Sequence, residues 1–340
     1  MRRYFIFVLL LVTGCEKFTE SFLRSSSTAT ASSNYTPKTR EYFITAEDVE
    51  WDYAPSGKNL TMPEMGMGVW GQQTKYKKTL YFEYTDATYT TKKPKPEHLG
   101  YLGPIIRGVV GDTLKIHFKN LSKDIHTIHP HGVFYDKESE GANYEDAKFP
   151  GGHVGPGEEF VYTWKVNERA GPGPNDASSV VWIYHSHIHS HDETYVGLNG
   201  AMIITKPEFA KEDGSPKDVD REFVNVFLVN NENPEGAEEE QHLKHAINGY
   251  IFGNLPGLEA KVGEHIRWYL IGLGTEVDMH TPHWHGFTVL HEGRRKDVVD
   301  LLPAMMTTAD MVADHAGSWL YHCHVSDHIT AGMIAMFKVK

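Results

Sequence analysis

The sequence predicts an all-β protein made of two β-sandwiches. Three observations support this fold class. Short segments rich in β-branched and aromatic residues recur along the chain, and Gly/Pro turns separate them. Glycine (31 copies) and proline (17 copies) are frequent, and no long segment has a helical period. A pair of histidine-rich motifs occurs once in each half, in the same order.

The strand-like segments divide into two groups. In the first half they cover residues 41–44, 79–84, 110–118, 161–164, 180–184 and 200–205. In the second half they cover residues 223–229, 265–271, 287–290, 305–312 and 319–324. A polar stretch with two prolines lies between the groups and predicts a linker over residues 207–221. We therefore expect one domain over residues 39–206 and a second over residues 222–340.

The N-terminus resembles an export signal. Arg2 and Arg3 precede an apolar run over residues 4–12, which is too short to span a membrane as a mature helix. The run ends at Cys15 in a sequence, VTGC, that resembles a bacterial lipoprotein box. Residues 1–15 are then a lipoprotein signal peptide, and residues 16–38 a flexible, Ser/Thr-rich tether. The alternative is an ordinary secretory signal. Both predict export to the periplasm or cell envelope, with membrane attachment only through a lipid on Cys15.

Charge and cysteine content narrow the functional classes. The net charge of -12 argues against nucleic acid as a partner. Only two cysteines are present, so a lipidated Cys15 leaves Cys323 without a disulfide partner. In an oxidising compartment, a single thiol is better explained as a buried metal ligand than as a free reactive group.

Histidines occur as four His-x-His pairs. They are His129/His131, His185/His187, His283/His285 and His322/His324. Residues two apart on a strand share a face, so each pair presents two imidazoles together. One pair would be weak support for a site, but four pairs, two in each half, predict a copper cluster. Cys323 lies between the last two histidines and points to the opposite face, where a thiolate, histidine and a weak methionine ligand would form a blue-copper site.

The motifs HPHG, YHSH, HTPHWHG and YHCHVSDHITAGM, in this order, resemble the four copper motifs of multicopper oxidases. Residues 42–47, 99–106 and 129–135 are most similar to the ceruloplasmin and hephaestin branch. The two-domain plan is similar to that of small bacterial laccases. The resemblance covers nearly everything from Tyr42 to the end, and it implies two cupredoxin-like Greek-key β-sandwiches.

The resemblance also implies which residues bind each of four coppers per chain. One type 1 copper would take His280, Cys323, His328 and an axial Met333. One type 2 copper would take His129 and His283. Two type 3 coppers would take His131, His185, His187, His285, His322 and His324.

The implied function is an oxidase that takes single electrons from a small reducing substrate and reduces O2 to water. We expect electrons to enter at an exposed edge of His328, in the loop after the strand, and to pass through Cys323 to His322 and His324. Laccase-like oxidation of phenols is favoured. The alternative is oxidation of ferrous or cuprous ion, while nitrite reduction and non-enzymatic electron transfer fit the ligands less well. By the same resemblance we expect a homotrimer with its clusters at subunit interfaces.

The repeat predicts that the first half lacks a blue copper. His126 aligns with His280, and His191 aligns with His328, but Ser186 replaces Cys323. Leu198 stands opposite Met333, allowing one inserted residue. Without a thiolate we expect His126 and His191 only to pack or form hydrogen bonds; the alternative is a weak metal site.

Four further groups are weaker candidates. Glu140, or secondarily Asp136, could relay protons to the cluster, or be a solvated loop carboxylate. Tyr135 could be a redox-active phenol, or a core aromatic residue. The methionines could bind cuprous ion but are better explained as apolar gap-filling residues: Met62, Met65, Met67, Met305, Met306 and Met311. Several acids could dock a ferrous ion or merely be solvated: Asp297, Asp300, Asp310, Asp314 and Asp327.

Overall fold

In the part of the chain that the structure describes, the first sandwich is built from nine strands. A computed structural model of the chain describes residues 35–144, 148–188, 192–275 and 278–340. The strands are β1 (Thr39–Asp52), β2 (Lys75–Tyr84), β3 (Ile106–Val109), β4 (Thr113–Asn120), β5 (His129–Pro130), β6 (Phe134–Tyr135), β7 (Glu159–Lys165), β8 (Ser179–His185) and β9 (Asn199–Thr205). A short helix, α1 (Asp192–Val196), lies between β8 and β9.

The second sandwich follows the same plan. Its strands are β10 (Arg221–Asn231), β11 (Leu243–Ile247), β12 (Glu259–Ala260), β13 (His265–Gly272), β14 (Pro282–Trp284), β15 (Val289–His291), β16 (Arg294–Lys296), β17 (Met306–Val312), β18 (Gly317–Cys323) and β19 (Ile334–Val339). The helix α2 (Ser326–Thr330) joins the last two strands. These two sandwiches confirm the predicted all-β class.

The strand order repeats between the halves. The first sandwich has sheets β2-β1-β4-β7-β6 and β3-β9-β8-β5. The second has sheets β11-β10-β13-β17-β15-β16 and β12-β19-β18-β14. The pairing of His129 with His185 across β5 and β8 recurs as the pairing of His283 with His322 across β14 and β18. The repeated motifs therefore occupy equivalent places in equivalent sheets.

Each sandwich encloses its own apolar core. On β4, burial alternates residue by residue, which places Leu114, Ile116 and Phe118 inside. The core of the second sandwich contains Cys323 and Met333, both fully buried. The thiol and the thioether thus lie in apolar surroundings from which water is excluded.

A third apolar cluster joins the two sandwiches. The outer faces of β8 and β9, including Ile183 and Ile203, pack with Val224 and Ile271 of β10 and β13. β10 is buried along most of its length because both of its faces are covered. Thr36–Lys340 consequently form one compact unit.

Some predicted boundaries differ from the observed ones. β4 begins at Thr113, three residues later than predicted, because Gly111 adopts φ +104 in the preceding turn. The predicted strand over residues 287–290 begins at Val289, after a turn in which Gly286 has φ +75. His324 lies just beyond the end of β18. Among the described residues, no helix is both long and apolar enough to span a membrane.

Candidate metal centres

Four histidines gather at one edge of the first sandwich. The ring nitrogens of His129, His131 and His185 lie within 4.8 Å of one another. The ring of His187 is 5.1 Å from that of His129, centroid to centroid. β5 and β8 bring the two His-x-His pairs together because they are neighbouring strands in one sheet.

The second sandwich holds the equivalent group. The ring nitrogens of His283, His285 and His322 lie within 4.8 Å of one another, and the ring of His324 is 5.3 Å from that of His283. The structure thus brings together the eight predicted cluster histidines as two groups of four. Among the described residues, no imidazole of one group is in ring contact with an imidazole of the other.

Backbone carbonyls orient one histidine of each pair. The Nδ1–H of His129 donates to the carbonyl of Glu140 at 2.6 Å, and that of His185 to the carbonyl of Ser186 at 2.8 Å. In the second group, the carbonyls of Asp297 and Cys323 accept from His283 at 2.9 Å and from His322 at 2.7 Å. Because each Nδ1 carries the proton, each Nε2 presents a lone pair.

The Nε2 atoms of each group also lie at the distances expected for two ligands of one metal ion. The Nε2 atoms of His131 and His185 are 3.1 Å apart, and those of His285 and His322 are 2.9 Å apart. Burial, and then the neighbouring imidazoles, lower the pKa of His131 to about 4. Burial likewise lowers the pKa of His185 to about 3 and that of His322 to about 4. Neutral imidazoles separated by about 3 Å match metal–nitrogen bonds of about 2 Å, so the donor set fits a bound metal.

A separate group lies inside the second sandwich. The Sγ of Cys323 is 3.6 Å from the Nδ1 of His328 and 4.0 Å from the Nδ1 of His280, and these two nitrogens are 3.2 Å apart. Met333 is tied to this group through its backbone. Its N–H donates to the carbonyl of His328 at 2.9 Å, and its carbonyl accepts from the N–H of Cys323 at 3.1 Å.

The surroundings of the cysteine in this group favour its thiolate form. Burial raises the pKa of the Cys323 thiol, but contacts with His280 and His328 and N–H donors of Thr281 and Val325 outweigh burial and lower it to about 6. The N–H of Thr281 donates to Sγ at 3.3 Å. A thiolate beside two imidazoles is a soft donor set that fits copper.

A buried carboxylate lies behind His280. Asp278 is 1% exposed, and its Oδ1 is 3.4 Å from the Nε2 of His280. The carboxylate also accepts the N–H groups of Val229 and Thr275, both at 2.8 Å. Burial opposes protonation of His280, but contact with Asp278 and Cys323 outweighs it and raises the pKa of the imidazole.

The prediction that His328 is an exposed loop residue is wrong. His328 lies on α2 and is only 6% exposed. The half-buried ring of His245, from β11, lies 5.0 Å from that of His328 and covers it. Burial, and then the nearby His328, lower the pKa of His245 to about 3. Sequence reasoning missed His245 because a lone histidine far from the motifs gives no local signal.

The first sandwich contains the same backbone frame without the thiol. The N–H of Thr127 donates to the Oγ of Ser186 at 3.1 Å, just as that of Thr281 donates to the sulfur of Cys323. The N–H of Ser186 donates to the carbonyl of Leu198 at 3.1 Å. His126 is buried beside this frame, whereas His191 lies outside the described residues. The absence of a blue copper here stays a prediction.

Glu140 and Tyr135 both lie beside His129. The ring of Tyr135 is 5.9 Å from that of His129. The carboxylate of Glu140 accepts hydrogen bonds from Lys137 and Tyr144. Burial opposes ionisation, but these two donors outweigh it and lower the pKa of Glu140. Asp136 is at the start of the 3-10 helix Lys137–Ser139. The proposed roles of these residues in proton and electron transfer remain predictions.

The remaining candidates have different environments. Met311 is 2% exposed in the core of the second sandwich, as expected of a gap-filling residue, whereas Met65 is 67% exposed and fills no gap. Three of the acids are paired with a basic side chain: Asp300 with Lys296, Asp310 with Arg267, and Asp314 with His315. Asp297 contributes its carbonyl to His283, and Asp327 lies on α2.

Comparison with known proteins agrees with these centres. Two family models, each described as multicopper oxidase, match residues 98–208 and 226–340. The chain belongs to the multicopper oxidase family. This membership confirms the resemblance seen in the motifs and makes copper the metal that both kinds of centre would hold.

Relatives similar in sequence are found among animal proteins. The chain is 38% identical to ferroxidase HEPHL1 of Homo sapiens, 37% identical to hephaestin of Mus musculus and 35% identical to ceruloplasmin of Homo sapiens. These alignments cover 88%, 88% and 89% of this chain but only 29%, 29% and 32% of the respective relatives. The chain therefore spans about a third of the length of these relatives.

Solved structures of the family have the same fold. A crystal structure of a multicopper oxidase aligns with a TM-score of 0.63 at 21% identity, and the alignment covers 89% of both chains. The multicopper oxidase mgLAC aligns with a TM-score of 0.63 at 20% identity, over 89% of this chain and 86% of that one. The two sandwiches are cupredoxin-like, as predicted.

Proposed function

We propose that this multicopper oxidase takes electrons from a metal ion, ferrous or cuprous, and transfers them to O2. The observation that carries the proposal is the burial of His328 beneath His245. A bulky phenol needs an open imidazole edge against which to pack, whereas a small ion needs only ligands on the outer surface. The similarity to ferroxidase HEPHL1 supports oxidation of a metal ion, in preference to the laccase-like activity favoured by the sequence.

The overall reaction balances with four substrate ions. Four ferrous ions become four ferric ions, or four cuprous ions become four cupric ions, while one O2 and four protons become two waters. Copper would supply reversible one-electron storage near Cys323 and multi-electron delivery to O2 among the eight histidines. We propose four coppers per chain, with the ligand assignment of one type 1, one type 2 and two type 3 sites given by the family resemblance.

The covalent path between the two kinds of centre is short. Cys323 and His322 are consecutive, and His324 follows on the other side. The Nδ1–H of His322 also donates to the carbonyl of Cys323 at 2.7 Å, which adds a hydrogen-bonded route to the covalent one. Electrons arriving at the thiolate therefore reach the histidine group without crossing a gap.

Rates with three donors would test the substrate class. Oxygen consumption should be faster with ferrous or cuprous ion than with a bulky phenol, by at least about tenfold in kcat/KM. His245→Ala should lower the rate with metal ions and raise it with the phenol, because it uncovers His328. His153→Ala, at an exposed histidine outside both centres, is the control. A wild-type enzyme that prefers the phenol would instead support a laccase.

We also propose that the oxidase is a homotrimer whose clusters form between subunits. Each sandwich presents four histidines, and the two groups are not in ring contact within the described chain. A head-to-tail ring would join the first sandwich of one subunit to the second sandwich of its neighbour.

Complementation would test this assembly. One variant would carry His129→Ala and His131→Ala, and the other His283→Ala and His285→Ala. Because a mixed ring regenerates one intact pairing, about one cluster in three of each mixed trimer should recover activity after co-expression. No recovery in co-purified mixed oligomers, or a monomeric active enzyme in light scattering, would contradict the arrangement.

Export is proposed on the sequence pattern alone. The basic residues, the apolar run and the VTGC sequence support lipidation of Cys15 in the cell envelope. Cys15→Ala should release the protein from the membrane fraction, and mass spectrometry should then show no lipid-modified N-terminal peptide.

A further inference from the structure

A small cavity lies in the first sandwich, between β2 and the segment that leads into β3. Its volume is about 210 Å³. A water molecule occupies about 30 Å³ in the liquid, so this volume corresponds to about seven waters, and drug-sized ligands need a larger site. The walls are largely apolar and include Phe82, Pro94, Pro96, Leu99 and Ile105. The cavity is therefore suited to the apolar body of one small organic molecule.

The side chain of Lys95 brings a positive charge to this cavity. Lys95 is half-buried, and its Nζ lies 6.0 Å from the centre of the Phe82 ring. In the described chain the ammonium forms one hydrogen bond, to the carbonyl of Leu102 at 2.6 Å. No carboxylate of the described residues pairs with it, and burial alone lowers its pKa to about 8. The charge is therefore partly removed from water without a counter-charge.

The other basic side chains that line the cavity already have partners. The Nζ of Lys93 lies 2.5 Å from a carboxylate oxygen of Glu83. The Nη1 and Nη2 of Arg107 donate to the two carboxylate oxygens of Glu222, at 3.0 and 2.9 Å. Among the described residues, Lys95 is therefore the basic residue of this cavity whose charge has no carboxylate partner.

The backbone fixes the position of Lys95. It lies between Pro94 and Pro96, whose rings hold φ at about −65°, and a residue before proline is restricted to extended conformations. The 3-10 helix Glu97–Leu99 follows at once, and Leu99 is 1% exposed. Little backbone freedom remains to be lost on binding, which favours a ligand that meets the ammonium.

The cavity is separate from the copper centres. None of the described residues that line it is a predicted copper ligand. Its inner wall includes Tyr81, which is fully buried and donates its hydroxyl to the carbonyl of Thr127. The ring of Tyr81 is 5.5 Å from that of Tyr184, which immediately precedes His185. Two buried tyrosines thus lie between a ligand in the cavity and the nearest histidine group.

We propose that this cavity binds a small organic monocarboxylate with an apolar body, and that the carboxylate lies on the ammonium of Lys95. The single charge of such a ligand matches the single uncompensated charge of the cavity, and the apolar walls cover the rest of the ligand. Inorganic phosphate fits less well, because its additional oxygens would face apolar walls without donors. Binding makes and breaks no covalent bond, and the site is independent of the proposed metal-ion oxidation.

Binding of benzoate to the copper-loaded enzyme tests the site. A saturation-transfer NMR titration at pH 7 should show saturable binding to wild type. Lys95→Met removes the charge at similar side-chain length and should weaken binding at least about tenfold. Lys95→Arg keeps a positive charge and should retain most of the affinity. Lys58→Met, at an exposed lysine outside the cavity, is the matched control and should leave the affinity unchanged.

The affinity should depend on pH through Lys95. With a pKa of about 8, its amine is largely protonated at pH 7 and largely neutral at pH 9, so the affinity of wild type for benzoate should fall about tenfold over that interval. The other charged groups near the cavity are the two ion pairs given above and that of Lys92 with Glu47, where Lys92 lies 3.7 Å from the centre of the Phe82 ring. Lys95→Arg should abolish the pH dependence, because a guanidinium stays protonated. A fall that persists in Lys95→Arg would contradict the assignment to Lys95.

Each alternative gives a different result. No saturable binding to wild type, or equal affinity of wild type and Lys95→Met, would overturn the site. Equal affinity for benzoate and benzyl alcohol would show that the charge contributes nothing, and tighter binding of inorganic phosphate would show that the ligand class is wrong. Benzoate bound at the copper centres would change their absorption spectrum and persist in Lys95→Met, which also contradicts the cavity site. A normal blue absorption in each variant shows that it is folded, so a loss of binding is then due to the substituted side chain.

Discussion

Asp278 should set the reduction potential of the type 1 copper. The carboxylate is 1% exposed and lies 3.4 Å from the Nε2 of His280, on the side of the ring opposite Cys323. A buried negative charge stabilises the oxidised metal more than the reduced one. Asp278→Asn removes the charge with little change in shape and should therefore raise the potential.

The size of the shift follows from distance. The ring adds about 2 Å between its nitrogens and a metal–nitrogen bond about 2 Å more, which places the charge roughly 7 Å from the metal. At an effective dielectric constant of about 20, the interaction is about 2.4 kcal/mol. For one electron this corresponds to an upward shift of about 100 mV.

Redox titration of the blue absorption measures this shift directly. Asp300→Asn is the matched control, since it makes the same change in charge on a side chain that is 80% exposed and screened by water. An unchanged or lower potential in Asp278→Asn would refute the electrostatic reasoning. The amide can accept only one of the two N–H groups that the carboxylate accepts, so thermal stability should also fall, by about 1–3 kcal/mol.

Three further predictions concern ligation and stability. Cys323→Ser should abolish the blue absorption and steady-state oxidase activity while leaving copper bound by the histidine groups, because a serine hydroxyl does not ionise near neutral pH. Copper analysis and absorption spectra check this prediction. Normal turnover by the variant would contradict the electron path through Cys323. Glu232→Gln should destabilise the fold by about 3–5 kcal/mol, because it leaves the buried ammonium of Lys78 unpaired. Burial lowers the pKa of Lys78, so the folded state binds fewer protons at this side chain than the unfolded state does. The free energy of unfolding of Glu232→Gln, measured by urea titration, should therefore rise as pH rises towards 10.5. Hydrogen bonds from Arg221 lower the pKa of Glu264 from 4.5 to about 2. The Glu264 carboxylate therefore stabilises the fold fully above about pH 4.5, and this stabilisation is lost as pH falls to about 2. Glu264→Gln should remove this pH dependence from acid unfolding curves.

Much of the metal chemistry could be read from the sequence because strand geometry is local. Residues two apart on a strand share a face whatever the rest of the chain does, so pairs such as His283/His285 had to present their imidazoles together. The repeat then implied that corresponding pairs occupy equivalent sheets, and β5–β8 and β14–β18 show that pairing. The separation of Cys323 from its two flanking histidines follows from the same alternation.

The surroundings of the ligands could not be predicted from the sequence in this way. His328 was expected to be exposed because it follows a strand, yet α2 and His245 cover it. His245 and His328 are 83 residues apart along the chain, and only sheet packing brings the two rings together. Burial depends on what packs against a residue, and local periodicity carries no information about that.

The sequence by itself determined the donor atoms: ten imidazoles, one thiolate and a thioether at spacings suited to copper. The tertiary structure decided how those donors are oriented and what reaches them. Carbonyls such as those of Glu140 and Asp297 select the coordinating nitrogen, and the buried carboxylate of Asp278 lies behind His280. Ligand identity is a property of single residues, whereas access, orientation and potential arise from contacts between distant segments.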